Sequence, residues 1–266
     1  MNKSKIEWCD RTWNPITGCL HNCPYCYART YTRRFCTNEH GKEGLLSPCS
    51  GDCRACSEMD GVEFIGDQIR VSHGNGAFPF GFYPTFHLNR MSRPAGVKKP
   101  QNVFVCSMSD LFGEWVPDEY IKRVFDACAA APWHRYLFLT KNPKRYAQFG
   151  DPIVKGVESW IGQTLTGIDK NPVFLFGTYA FVSIEPILAP IDKILYQDVG
   201  WVIIGAETGH RTGAGMKVTP KREWIEAIVK ECRKYGIPVF LKKSLADVWG
   251  ESLIQEYPWC EEKQNA

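Results

Sequence analysis

Six short runs in the last two-thirds of the chain constrain the fold more than any other feature: "VFVCS" (103–107), "YLFLT" (136–140), "WIGQT" (160–164), "AFVSI" (180–184), "WVIIG" (201–205) and "PVFLK" (238–242). Each is apolar on both faces, which is the pattern of parallel strands covered by helices. Two connecting helices are marked between them. Over 117–131, Ile121, Val124, Phe125 and Cys128 recur at helical spacing behind Pro117, Asp118 and Glu119. Over 219–235, Trp224, Ile225, Ile228, Val229 and Cys232 form the apolar stripe. Thr219 stands as N-cap, Pro220 at the first helical position and Gly236 as the stop. Residues 165–179, which contain Gly and Pro, read mostly as loop. Repeated strand–helix units predict an α/β fold with a parallel sheet, open or curved into a full or partial barrel.

Polar residues follow each strand in turn: Ser107, Ser109 and Asp110; Thr140, Lys141 and Asn142; Gln163, Thr164 and Thr166; Ser183 and Glu185; Glu207 and Thr208; Lys242 and Lys243. Parallel α/β folds bind ligands at that edge. Six such clusters in succession predict a site.

Residues 36–95 break the pattern. They are rich in Gly, Pro, aromatics and cysteine, as in "SHGNGAFPFGFYPTF", and read as an irregular insertion that needs a staple. The rest of the composition is ordinary for a globular chain, 44% hydrophobic and 23% charged over 266 residues, which excludes a disordered protein. "MNKSKIEWCDRTW" lacks the apolar run of a signal peptide, and no window has the length of a membrane span. The expectation is a cytoplasmic protein. In a reducing compartment clustered cysteines bind metal or do redox work, while Cys9, Cys106, Cys128, Cys232 and Cys260 read mainly as small buried hydrophobes. Of the net charge of +3, residues 36–76 carry −4 and the remainder +7. Arg29, Arg33, Arg34, Arg90, Arg93, Lys98 and Lys99 lie in stretches almost free of acids, forming either a solvated face or a surface for phosphate.

The stretch "GCLHNCPYCYA" places Cys19, Cys23 and Cys26 at CxxxCxxC spacing, with His21 between them and Tyr25 just before the last. Structural zinc takes four ligands. Three thiolates suit a four-iron cluster with one iron left open for substrate or cofactor. The same spacing recurs in "CSGDCRAC" at Cys49, Cys53 and Cys56. With Cys36 upstream, or His40 in its place, that second set makes a closed site for structural zinc or an auxiliary [4Fe-4S] cluster.

At these residues the sequence resembles the radical S-adenosylmethionine (SAM) superfamily. "KIEWCDRTWNPITGC", "CYA", "VFVCSMSDLFGE", "FLTKNP", "SIEPIL" and "VIIGAETG" look like one of its phage- and bacterium-associated families, through nearly the whole chain apart from residues 36–76. A more distant resemblance is to spore photoproduct lyase, a DNA-repair branch. The resemblance implies a partial (β/α)6-type barrel in a single domain over 1–266, with a [4Fe-4S] cluster on Cys19, Cys23 and Cys26. It implies that SAM chelates the open iron and is cleaved reductively to a 5′-deoxyadenosyl radical. Tyr25 would pack near the adenine. Ser107, Ser109 and Asp110 replace the usual Gly-Gly-Glu stretch and become candidates for the SAM amino group. Gln163, Thr164 and Thr166 would reach the ribose, and Ser183, Glu185 and Glu207 would serve SAM or substrate.

The implied partners are SAM, an electron donor such as flavodoxin or ferredoxin, and DNA or a nucleotide. The expected reaction is rearrangement or modification of a nucleobase. Two alternatives stand beside it: radical chemistry on a peptide or small metabolite, and a non-catalytic, zinc-stapled nucleic-acid-binding protein. Plainer roles are open for several residues. Glu185 and Glu207 suit helix capping or lysine pairing, and Asn14 suits a turn before Pro15. Phe78, Phe80, Phe82, Tyr83 and Phe86 suit either base stacking or the core.

Overall fold

A computed structural model describes residues 1–35, 62–65, 69–72, 76–150, 153–168, 179–191, 194, 196–209 and 215–260. The elements run β1 (Asn2–Lys3), β2 (Arg11–Trp13), β3 (Ile16–Thr17), α1 (Tyr27–Phe35), β4 (Val62–Ile65), β5 (Ile69–Ser72), β6 (Thr85–His87) and β7 (Asn102–Val105). They continue α2 (Asp118–Ala129), β8 (Arg135–Thr140), β9 (Ser159–Leu165), β10 (Ala180–Ile184), β11 (Trp201–Ile204), α3 (Arg222–Lys234), β12 (Val239–Leu241) and α4 (Ala246–Trp249). Eight strands form one sheet in the order β1-β2-β7-β8-β9-β10-β11-β12. Only the β1–β2 pair is antiparallel; every pairing from β2 to β12 is parallel. All six apolar runs became strands of this sheet.

Strand alternation divides the sheet into two apolar layers. Val103, Val105, Tyr136, Phe138, Val182, Val202 and Val239 share a buried cluster with Ile121, Val124 and Phe125 of α2 and with Ile225 and Ile228 of α3. The opposite face gathers Phe104, Leu137, Trp160, Phe181, Trp201 and Phe240 around Trp8. The Trp8 ring lies 4.6 Å from Phe104 of β7 and 6.2 Å from both Phe181 of β10 and Trp201 of β11. A flat sheet sets β7 and β11 about 19 Å apart, four strand spacings. One indole reaches both only because the sheet curls around it. Tyr257 and Trp259 pack against the same aromatic face, Trp259 at 5.1 Å from Trp201 and 5.6 Å from Trp160.

The structure corrects two expectations. Within 36–95 the chain is not irregular throughout: β4, β5 and β6 join β3 in a second sheet of order β3-β6-β5-β4. Its strands are only two to four residues long, and β3 lies far away in sequence, so no local periodicity announces them. The second correction concerns α3, which begins at Arg222 behind Lys221 rather than at Pro220. Lys221 is still extended (φ −89°, ψ 144°), which leaves Thr219 and Pro220 outside the helix. Gly236 does end it, at φ 66°. No helix among the described residues is long and apolar enough to cross a membrane.

Candidate functional site

The carboxyl ends of β7 to β12 converge on a cavity of about 660 Å³, in the size range of ligand sites. The cysteine loop forms one wall, with Cys19, His21, Cys23, Tyr25 and Cys26 all lining the space. The loop starts at Gly18, whose φ of 83° is left-handed and whose α-carbon has no room for a side chain: a Cβ there would stand 2.3 Å from the Tyr83 carbonyl oxygen. Gly18 N–H donates to Met108 O (2.9 Å), and Cys19 N–H donates to Phe82 O (3.2 Å). Both sheets therefore hold the loop, because Phe82 precedes β6 and Met108 follows β7.

The turn after β7 laces the loop down further. Ser109 Oγ donates to Gly18 O (2.5 Å), and Tyr27 Oη donates to Ser107 O (2.7 Å). Asp110 Oδ2 lies 2.7 Å from His21 Nε2 and accepts the Lys141 N–H (2.9 Å), while Oδ1 accepts the Phe112 N–H (3.0 Å). Burial alone would raise the Asp110 carboxyl, but the bond to His21, its charge, the Lys141 amide and the Thr140 hydroxyl outweigh that and hold it below its ordinary value. Asn14 is more than a turn residue. Its Oδ1 accepts from Met108 N–H (3.0 Å) and Ser107 Oγ (3.2 Å), joining the end of β2 to the same turn.

Burial pushes the Cys19 and Cys26 thiols up, and charge on Cys23 adds to both; Cys26 adds to Cys19 as well. Three mutually close thiols in a poorly solvated wall become thiolates only when a cation compensates them. Among the described residues no group of three or more His, Cys, Asp or Glu side chains converges tightly enough to hold a single metal ion. Cys19, Cys23 and Cys26 line one wall of the cavity, and three thiols are by their chemistry an iron–sulfur donor set. Cys36, Cys49, Cys53 and Cys56, and His40, lie outside the described residues.

The wall opposite the loop comes from the later strands. Thr164, Glu185 and Glu207 line the cavity with Lys141, Lys242 and Lys243. Glu185 Oε2 and Lys242 Nζ form an ion pair of 3.1 Å, packed over Gly205. Glu207 is buried, and its Oε2 accepts the Val218 N–H at 3.4 Å. Gln163, Thr166 and Ser183 do not line the space. Gln163 is in register with Val182 and Thr140, which puts it on the helix-covered face; Thr166 is fully buried, and Ser183 lies beneath the cavity beside Thr164. Of the five aromatics considered for stacking, Phe82 alone lines the cavity, while Phe78, Phe80 and Phe86 are buried. Cys9, Cys106, Cys128 and Cys232 are buried, Cys106 in the cavity wall with its thiol pushed up to about 12, whereas Cys260 is exposed. Sequence reasoning missed Trp8 and Lys5, which join the lining from the N-terminal segment. Neither carries a pattern that separates it from a surface residue.

A curled, mainly parallel α/β sheet with a cysteine-walled cavity at its carboxyl edge is thus the class this chain defines. It belongs to the family described as "Protein of unknown function (DUF5131)", whose model matches residues 3–257. No curated protein matches it. Among solved structures, a cysteine-to-serine mutant of spore photoproduct lyase is similar at a TM-score of 0.47 and 11% identity, covering 93% of this chain and 76% of that one. Spore photoproduct lyase complexed with dinucleoside spore photoproduct gives 0.46 and 12%, with the same coverage.

Proposed function

We propose that this chain is a radical SAM enzyme, a single domain with a partial (β/α)6-type barrel, acting in the cytoplasm on a nucleobase in DNA or a nucleotide. One observation carries the reading: the three thiols of the CxxxCxxC loop open onto a large cavity at the carboxyl ends of parallel strands. Cys19, Cys23 and Cys26 would hold a [4Fe-4S] cluster, which supplies the electron that cleaves SAM reductively and so starts hydrogen-atom abstraction. Flavodoxin or ferredoxin would deliver that electron.

The chain's own residues set the conditions for this chemistry. Ser109, Asn14 and Asp110, through His21, fix the loop on which the thiols stand. Tyr25 presents a ring to the cavity, with Lys141 Nζ 5.5 Å from its centroid. The aromatic floor around Trp8 keeps water from the bottom of the site. Lys5, Lys141, Lys242 and Lys243 line the cavity with the carboxylates of Glu7, Asp110, Glu185 and Glu207, a balanced set in which Lys242 is paired with Glu185 and the other lysines are available to a phosphate. Anaerobic reconstitution with iron and sulfide, followed by SAM and dithionite, tests the reading. The expected product is 5′-deoxyadenosine, lost in Cys19→Ala, Cys23→Ala and Cys26→Ala; an iron-free protein holding zinc alone would refute it.

A further inference from the structure

Cys23-Pro24-Tyr25-Cys26 is a Cys-x-x-Cys pair inside the cysteine loop, a redox motif that metal binding alone does not use up. Its backbone is a tight turn. Cys26 N–H donates to Cys23 O at 3.2 Å, Pro24 holds the second position, which turns favour, and α1 begins at Tyr27. The first and last α-carbons of such a turn stand within about 7 Å, and a disulfide closes over about 4.4–6.8 Å without moving the backbone. Both thiols line the cavity and both are partly exposed, so a small reagent reaches them.

Cys19 is held differently. Its N–H is bonded to Phe82 O (3.2 Å), and the chain between it and Cys23 is clamped. His21 Nε2 lies 2.7 Å from Asp110 Oδ2, and the His21 ring meets Trp115 edge-on at 4.9 Å. Asn22, at a left-handed φ of 54°, accepts from Arg29 Nη1 with its Oδ1, which fixes the start of the turn to α1. Joining Cys19 to either neighbour asks clamped backbone to move. Joining Cys23 to Cys26 asks only for side-chain rotation.

We infer that, before metal is loaded, Cys23 and Cys26 form a reversible disulfide, and that its reduction is the step that admits a cluster. The oxidant is a small disulfide of the oxidised-glutathione class. One cysteine thiolate attacks its S–S bond, which forms a mixed disulfide and releases one glutathione thiolate. The other cysteine thiolate attacks the mixed disulfide, closes the Cys23–Cys26 bond and releases the second glutathione. Two cysteine thiols thus give up two electrons and two protons, and one glutathione disulfide becomes two thiols. Burial pushes the Cys26 thiol up, which keeps its thiolate fraction small and the exchange slow. With both sulfurs joined, Cys19 is the one thiol of the loop left for metal, too few for a cube. The consequence for loading rests on the cluster reading; the disulfide itself does not.

Peptide mass mapping of the full-length protein, purified without metal, equilibrated with reduced and oxidised glutathione and quenched by alkylation, tests the pairing. The expected product carries an internal Cys23–Cys26 link, with Cys19 alkylated. Cys19→Ser should still form the link, whereas Cys23→Ser and Cys26→Ser should not. The initial rate of cluster formation, with iron and sulfide but no thiol reductant, should be at least about tenfold lower for oxidised than for pre-reduced protein, because sulfide must first cleave the link. A link from Cys19, a link from Cys23 or Cys26 to a cysteine elsewhere, or glutathione adducts without an internal link would each overturn the pairing. Equal initial rates would overturn the switch. A mapped Cys23–Cys26 link in a protein that takes up zinc and no iron sinks the cluster reading alone. Formation of 5′-deoxyadenosine by a protein that never shows the link sinks the switch alone.

Discussion

Gly18→Ala should damage this protein more than a glycine-to-alanine change at a left-handed position with free space around it, such as Gly236. Two costs add at Gly18. A φ of 83° puts an L-residue in a region that costs about 1–2 kcal/mol. The new methyl would also stand 2.3 Å from Tyr83 O, 2.5 Å from Tyr83 C and 2.6 Å from Phe82 O. These are backbone atoms, which no rotamer change removes, so overpacking adds about 1–3 kcal/mol. Gly236→Ala is the control, because its φ of 66° carries the conformational cost while nothing lies within 4 Å of the added carbon. Gly236→Ala should cost about 1 kcal/mol and Gly18→Ala about 3 kcal/mol. For a chain of this length, about 2 °C in Tm per kcal/mol gives falls of about 2 °C and 6 °C. Urea and thermal unfolding of the two variants measure the difference, and iron content after reconstitution reports whether Cys19 has moved. A Gly18→Ala variant within about 0.5 kcal/mol of Gly236→Ala would refute the argument that backbone contact shapes the cysteine loop.

Other changes probe other links. Glu256 accepts from Arg233 Nη1 (2.8 Å) and Nη2 (2.7 Å) and from Val239 N–H (2.9 Å), tying the C-terminal segment to α3 and β12. Burial alone would raise its carboxyl, but these bonds hold it below the ordinary value, so its contribution is present above the usual carboxylate range and is lost as pH falls through its folded-state value. Glu256→Gln should cost about 1 kcal/mol at neutral pH, allowing for partial exposure, and flatten the acid side of a stability–pH curve measured by urea unfolding. Arg90 is buried and donates to Asn14 O (2.9 Å), Gly76 O (3.3 Å) and Ala77 O (2.9 Å), so Arg90→Met should destabilise by about 3 kcal/mol in the same assay. Cys128 is a buried packing residue, and Cys128→Ala should cost about 1–2 kcal/mol while leaving iron content unchanged, unlike changes at Cys19, Cys23 or Cys26. Double apolar runs marked the strands because a strand covered on both faces has little choice of residue. The second sheet went unseen because its strands are shorter than any period that can be counted.

The amino-acid sequence alone determined the positions of the six strands β7 to β12, the helix stripes at Ile121–Cys128 and Trp224–Cys232, and the cysteine loop, since burial and thiol spacing are written locally along the chain. Only the tertiary structure decided which strand-end polar groups share one space. Ser107, Ser109 and Asp110 bind the loop, Glu185 faces Lys242, and Gln163 turns to the helices, because strand register and sheet curl choose the face each residue occupies. Trp8 owes its place at the centre of the site to that curl. Contacts across four strands are a property of the curled sheet and leave no trace in the residues beside Trp8 in the chain.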